Sequence, residues 1–158
     1  MDICEWNRKC SEISNRYNAL YRKAAAHFGF SDYQFRILYK LYIESFSTTQ
    51  NKLADEFCVS KQTVNSAVQK LAEEGLIKLV KGNEAKNSKL ISLTDKGKES
   101  CQNTIKRLIA AENSAIGKID DEKLRWFLEL FEMQYMVFEK EIGILFEEEN
   151  KCVNKEKN

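Results

Sequence analysis

The sixteen residues from Ser60 to Gly75, SKQTVNSAVQKLAEEG, constrain the chain most, because they set both ends of one helix and the use of its two faces. Ser60 is a good N-cap: its hydroxyl can accept from a free amide of the first turn. Val59 before it and Val64 after it stand at the spacing of a hydrophobic staple. Gly75 follows Glu74 where a helix ends in a left-handed residue. Between these signals Val64, Ala67, Val68 and Leu71 recur at helical spacing and predict a buried face. The opposite face carries Lys61, Gln62, Asn65, Ser66 and Gln69, with no acid until Glu73. A solvated polar surface would use such residues. So would a surface that reads a DNA major groove: amides pair bidentately with adenine, hydroxyls with several bases, lysine with guanine or phosphate. Gln62, Asn65, Ser66 and Gln69 are the base-reading candidates, and Lys61, Thr63 and Lys70 stand where phosphates would run.

The flanking residues favour the DNA reading. A short helix near Gln50 to Phe57 puts Leu53, Ala54 and Phe57 on one face, and the link Cys58-Val59 leaves room only for a sharp helix–turn–helix corner. After Gly75, the runs Leu76 to Val80 and Lys89 to Leu93 read as two short strands around the polar turn KGNEAKNS. A hairpin placed directly after such a helix is a wing, and Lys86 and Lys89 are its candidate phosphate contacts.

Four groups of residues, in order, resemble the MarR family of winged-helix transcriptional regulators. They are Thr49, Gln50, Leu53 and Ala54; Ser60, Thr63 and Val64; Leu71, Gly75 and Leu76; and the wing exit Leu93, Thr94, Lys96 and Gly97. The resemblance, which covers nearly the whole chain, implies a mainly α fold: a winged helix–turn–helix with a two-stranded β-wing and long N- and C-terminal dimerisation helices. It implies a cytoplasmic homodimer that binds double-stranded DNA at a pseudo-palindromic operator, as a repressor answering to a small hydrophobic effector. Two alternatives are a winged-helix protein-interaction module that no longer binds DNA, and a repressor sensing oxidants through a cysteine of the first helix, here Cys10. The chain departs from the family pattern twice. Cys58 stands where the family usually has glycine, which predicts a positive φ at a residue with a Cβ. The arginine that usually anchors the wing is missing, since no arginine lies between Arg36 and Arg107.

The helices outside this core carry unusual apolar seams. From about Asp2 to His27, Trp6, Cys10, Ile13, Tyr17, Leu20 and Ala24 step by four and three, the spacing that packs one long helix on another. Phe30, Ser31, Gln34 and Phe35 predict a capped and stapled second helix, with Phe35, Leu38, Tyr39, Leu41 and Tyr42 towards the core. Thr94 looks like the cap of one long helix carrying Cys101, Ile105, Leu108, Ala115 and Ile119. Asp120 begins another, in which Leu124, Leu128, Phe131, Tyr135, Phe138, Ile142 and Leu145 form one stripe and Trp126, Leu130, Met133 and Val137 a second. A helix with two apolar stripes touches two neighbours, and a second copy of the chain is the economical source of one. Trp6, Ile13, Tyr17, Leu128, Phe131, Tyr135, Phe138 and Ile142 are therefore the expected dimer interface. The expected organisation is a dimerisation helix over 1–30, a winged domain over 31–98, dimerisation helices over 99–150 and a flexible tail over 151–158.

Composition narrows the function classes. The 158 residues are 43% hydrophobic and 31% charged, without proline, which suits long uninterrupted helices. The net charge of +1 does not announce a nucleic-acid binder, but its distribution is uneven: eight lysines against four acids from Ser60 to Lys98, ten acids against three bases from Asp120 to Asn150. Such a field can orient a polyanion, although on charge alone chance clustering on a solvated surface is the better reading. His27 is the only histidine, no orienting acid stands at a recognisable spacing from it, and the six glycines are scattered, so neither a catalytic residue nor a phosphate loop is expected. The five cysteines, without a CxxC pair, suggest neither a disulfide framework nor a metal site. No cofactor is implied. No apolar run is long enough to span a membrane and MDICEWNRKC lacks a signal peptide's core. Tyr17, Tyr21, Phe35 and Tyr39 could line an effector cleft or simply form core.

Overall fold

The structure, a computed structural model, describes residues 2–44, 47–81 and 89–155. Helix α1 (Ile3–His27) starts at Asp2, whose carboxylate accepts from the Cys4 amide, and closes before Gly29 at φ 83°. Helix α2 (Asp32–Glu44) begins with the expected capping box: the Ser31 amide donates to Gln34 Oε1 at 2.9 Å and the Gln34 amide to Ser31 Oγ at 3.4 Å. The staple is present as well, with Phe30 and Phe35 stacked at 6.1 Å between ring centroids.

Strand β1 (Thr48–Thr49) leads into α3 (Gln50–Glu56) and then α4 (Lys61–Glu73). Strands β2 (Ile77–Lys81) and β3 (Lys89–Leu93) make the hairpin, in the register Ile77 to Leu93 and Lys81 to Lys89. To the expected two-stranded wing β1 adds a third strand, in the antiparallel order β1-β3-β2. Thr48 pairs with Ile91 and Thr49 with Leu90. Two residues carry no readable alternation, so β1 left no pattern in the sequence. It ties the start of the helix–turn–helix to the wing.

Helix α2 is the centre of the core, packing on α1, α4, β3 and α5 (Asp95–Asn103). Phe35, Ile37, Leu38 and Leu41 are buried, so Ile37 joins the core beside the residues expected there. Leu53 and Ala54 of α3 and Val64, Ala67, Val68 and Leu71 of α4 close it from one side, Ile77 and Ile91 from the sheet, and Cys101 from α5.

The long helix expected after Thr94 is broken in two. Helix α5 ends at Asn103 and α6 (Ile105–Ile116) begins after Thr104, whose φ of −125° and ψ of −73° leave the helical region. The Thr104 hydroxyl donates to the Ser100 carbonyl at 2.8 Å. This back-bonding to the previous turn competes with the backbone ladder and bends helices. Cys101 and Ile105 are both fully buried on either side of the break.

Helix α7 (Asp121–Lys155) is capped by Asp120, which accepts from the amides of Glu122 at 3.1 Å and Lys123 at 3.2 Å. Its backbone continues into the stretch expected as a tail. The chain divides into two compact units, Met1–Ala111 and Glu112–Asn158. The first unit thus contains both the expected N-terminal helix and the winged region. Among the described residues no helix is long and apolar enough to cross a membrane.

Candidate nucleic-acid interface

Helix α4 is fixed at both ends. Ser60 Oγ accepts from the Thr63 amide at 3.2 Å and lies 2.8 Å from Thr63 Oγ1, so the Thr63 hydroxyl is partly used in the cap. At the other end Gly75 adopts φ 71°, its amide donates to the Ala72 carbonyl, and the Leu76 amide donates to the Leu71 carbonyl. This pair of bonds is a Schellman closure. The wing exit is clasped onto it. The Thr94 hydroxyl donates to the Gly75 carbonyl at 2.6 Å, Lys96 Nζ donates to the Glu74 carbonyl at 2.7 Å, and Thr94 Oγ1 also accepts from the Gly97 amide at 3.0 Å. Gly97 approaches so closely that a Cβ there would stand 1.9 Å from the Leu76 carbonyl oxygen. The run Leu93-Thr94-x-Lys96-Gly97 therefore sets the wing against the end of α4.

With Val64, Ala67, Val68 and Leu71 buried, the opposite face of α4 is turned out as expected. Lys61, Gln62, Ser66, Gln69 and Lys70 are exposed, and Thr63 and Asn65 half-buried. The Ser66 hydroxyl donates to the Gln62 carbonyl at 3.0 Å and keeps its acceptor positions. Among the described residues, the side chains of Lys61, Gln62, Gln69 and Lys70 hold no hydrogen bond or ion pair with the protein. Lys89 is exposed at the start of β3, and Lys86 lies outside the described residues. Asn65 is different: its Oδ1 accepts from Gln50 Nε2 at 3.2 Å. Gln50 is the residue of this surface that helical periodicity on α4 could not find, because it comes from α3. The corner between the two helices is made by Cys58, at the expected positive φ of 51°.

Lys40 of α2 reaches two acids, Glu44 at 2.5 Å and Glu56 at the end of α3 at 2.6 Å. The Glu44 hydrogen bond and then that of Glu56 raise its pKa above the ordinary lysine value. Lys40 and Glu44 belong to the lining of a cavity of about 480 Å³. Tyr17, Tyr21, Phe35 and Tyr39, the four aromatics marked as a possible effector cleft, all line it, together with Ile43 and Phe57.

The expected interface residues are mostly exposed in the single chain. Ile13 and Tyr17 of α1 and Leu128, Phe131, Tyr135 and Phe138 of α7 are open to solvent, and Trp6 and Ile142 are half-buried. Cys10 is exposed on the same seam. Cys101, by contrast, is buried, and burial pushes its thiol up to about 11.

Residues 28–85 match the family model for the MarR family. No curated protein sequence matches the chain. Among solved structures it is similar to a MarR family regulator from Neisseria meningitidis, with a TM-score of 0.74 and 23% identity over 90% of this chain and 98% of that one. It is also similar to a MarR transcriptional regulator from Methanosarcina mazei, with a TM-score of 0.63 and 26% identity over 83% of this chain and 94% of that one. A third is a putative MarR family regulator from Listeria monocytogenes in complex with 26mer DNA, with a TM-score of 0.67 and 20% identity over 84% of this chain and 86% of that one.

Proposed function

From a chain with the winged-helix fold of MarR-family regulators, and a central segment that matches that family, we propose a sequence-specific DNA-binding transcriptional regulator. It acts as a homodimer, and α4 is its recognition helix. The observation that carries this reading is the face of α4: a run of amides, hydroxyl and lysines held outward by a fully buried opposite face, on a helix capped at both ends. The relative solved with 26mer DNA supports it by analogy of fold. In a two-fold dimer, two such helices enter successive major grooves about 34–36 Å apart. Binding then favours a pseudo-palindrome.

Repression, and release by a small hydrophobic effector, complete the proposal. The aromatic cavity between Tyr17 and Phe57 is the effector site, and the Lys40–Glu56 ion pair connects its wall to the end of α3. The cysteines play no part in this: Cys10 belongs to the dimer seam. Selection of duplexes from a random pool tests the reading directly. The expected product is one two-fold symmetric sequence, bound in a gel shift and released by an aromatic effector. Equal binding of all duplexes overturns sequence-specific recognition, and binding of none leaves a protein-interaction module. Peroxide-triggered release that is lost in Cys10→Ser marks a redox sensor instead.

A further inference from the structure

The amide of Asn65 has a partner inside the protein, and this decides what it can offer outside. A side-chain amide is planar, with its acceptor at one corner and its two donors at the other. Gln50 Nε2 donates to Asn65 Oδ1 at 3.2 Å. The oxygen corner of Asn65 is thereby turned to α3, and the Nδ2 hydrogens are left for an external partner. The backbone at Gln50 is itself held in place. Gln50 is the first residue of α3, directly after the N-cap Thr49, whose hydroxyl accepts from the Lys52 amide at 3.2 Å. Thr49 is also the end of β1, paired with Leu90 of the wing strand. Sheet, cap and amide form one connected series that ends at the recognition helix.

Resting on the DNA-binding reading above, we infer that Gln50 is a positioning residue for base recognition: it makes Asn65 a donor towards DNA, selecting guanine over adenine at one base pair of each half-site. Bidentate pairing with adenine needs the amide oxygen for N6 and the amide nitrogen for N7. Guanine presents two acceptors, N7 and O6, which suit an amide showing only its donors. The sequence alone, which assigns asparagine to adenine, gives the opposite base.

The test is selection from random duplexes with the full-length chain and four variants. Asn65→Ala identifies the base pair, as the one whose preference it relaxes. The parent is expected to prefer guanine over adenine there by about tenfold. Gln50→Ala frees the Asn65 amide to rotate, and adenine should then rise to within about twofold of guanine at that pair alone. In Gln50→Ala with Asn65→Ala, the profile should match Asn65→Ala, since the first change acts only through the second residue. Gln50→Glu is the decisive variant. A carboxylate only accepts, so Asn65 must turn its donors inward and show its oxygen, and the preference should move to adenine or cytosine, the bases with a donor on the major-groove edge. An acid in the first turn of α3 suits the helix dipole, so this variant serves if Gln50→Ala fails to fold. Adenine chosen by the parent at that pair, or the parent's order of bases kept in Gln50→Ala and Gln50→Glu, overturns the inference and leaves the regulator reading intact. A parent that selects no sequence overturns both.

Discussion

In the proposed reading each outward residue of α4 and the wing has one of two jobs, and the two fail differently. Gln62 is exposed and its side chain is uncommitted among the described residues. Gln62→Ala is expected to cost roughly 1–3 kcal/mol of binding to the selected site and to relax preference at one base pair. Lys89 is exposed at the turn end of the wing, across from Lys81. Lys89→Ala should weaken all duplexes alike and lower the salt slope by about one unit for each phosphate it ceases to neutralise. Titrations of selected and scrambled duplexes at several salt concentrations separate the two patterns, and a uniform loss in Gln62→Ala would remove it from base reading. Cys58 concerns stability only. Its φ of 51° costs a residue with a Cβ about 1–2 kcal/mol, of which glycine would return about half after its own greater chain entropy is counted. Cys58→Gly should therefore raise stability by about 0.5–1 kcal/mol in urea unfolding. A less stable variant would mean that the interaction of Cys58 Sγ with the Asp55 carbonyl, 3.6 Å away, outweighs the strain. At this scale the sequence is largely legible. Ser60, Gln34, Gly75 and Cys58 announce their backbone states because caps and left-handed turns depend on side chains close along the chain. The Gln50–Asn65 bond is not legible, since fifteen positions separate its partners and only the crossing of two helices brings them together.

The elements show the same division between local and long-range causes. Helices with caps and apolar periodicity can be placed almost to the residue. The break at Thr104 cannot, because Cys101, Ile105 and Leu108 keep a helical period straight through it. At the break Thr104 leaves the helical region while its hydroxyl bonds back to Ser100, and periodicity takes no account of such a bond. The wing exit is the opposite case. Its motif is readable as a resemblance, but its physical meaning needs the structure: Thr94, Lys96 and Gly97 all engage the residues that close α4. Gly97→Ala should accordingly be severe. A Cβ 1.9 Å from the Leu76 carbonyl oxygen cannot be relieved by rotating a side chain, because the obstacle is backbone. The expected loss is at least about 3 kcal/mol in thermal or urea unfolding. Wild-type stability in this variant would show that the wing can shift away from α4 at little cost, and that the clasp does not fix its position.

At the scale of the whole molecule, the question is what covers α7. Along it Leu128, Phe131, Met133, Tyr135, Val137 and Phe138 are all more than half exposed, with Phe131 at 62% and Phe138 at 63%. Single exposed apolar residues are ordinary, but a continuous row of aromatics on one helix marks an interaction surface. The two stripes are readable from spacing alone, whereas the partner is not, because periodicity shows that a face will be buried and not by what. A second copy is the proposed cover, with Trp6, Ile13 and Tyr17 of α1 belonging to the same interface. The full chain should sediment as a dimer at micromolar concentration. Phe131→Glu with Phe138→Glu removes four aromatic side chains per dimer, each worth roughly 1.5–3 kcal/mol when buried. The dissociation constant should rise by at least about a thousandfold. The unit from Met1 to Ala111 has its own core, so the charged variant should keep a cooperative unfolding transition while running as a monomer. It should also bind a single half-site weakly and lose its preference for two-fold symmetric DNA. A parent that sediments as a monomer, or a charged variant that remains dimeric, would rule α7 out as the interface and leave the pairing of recognition helices without a structural basis.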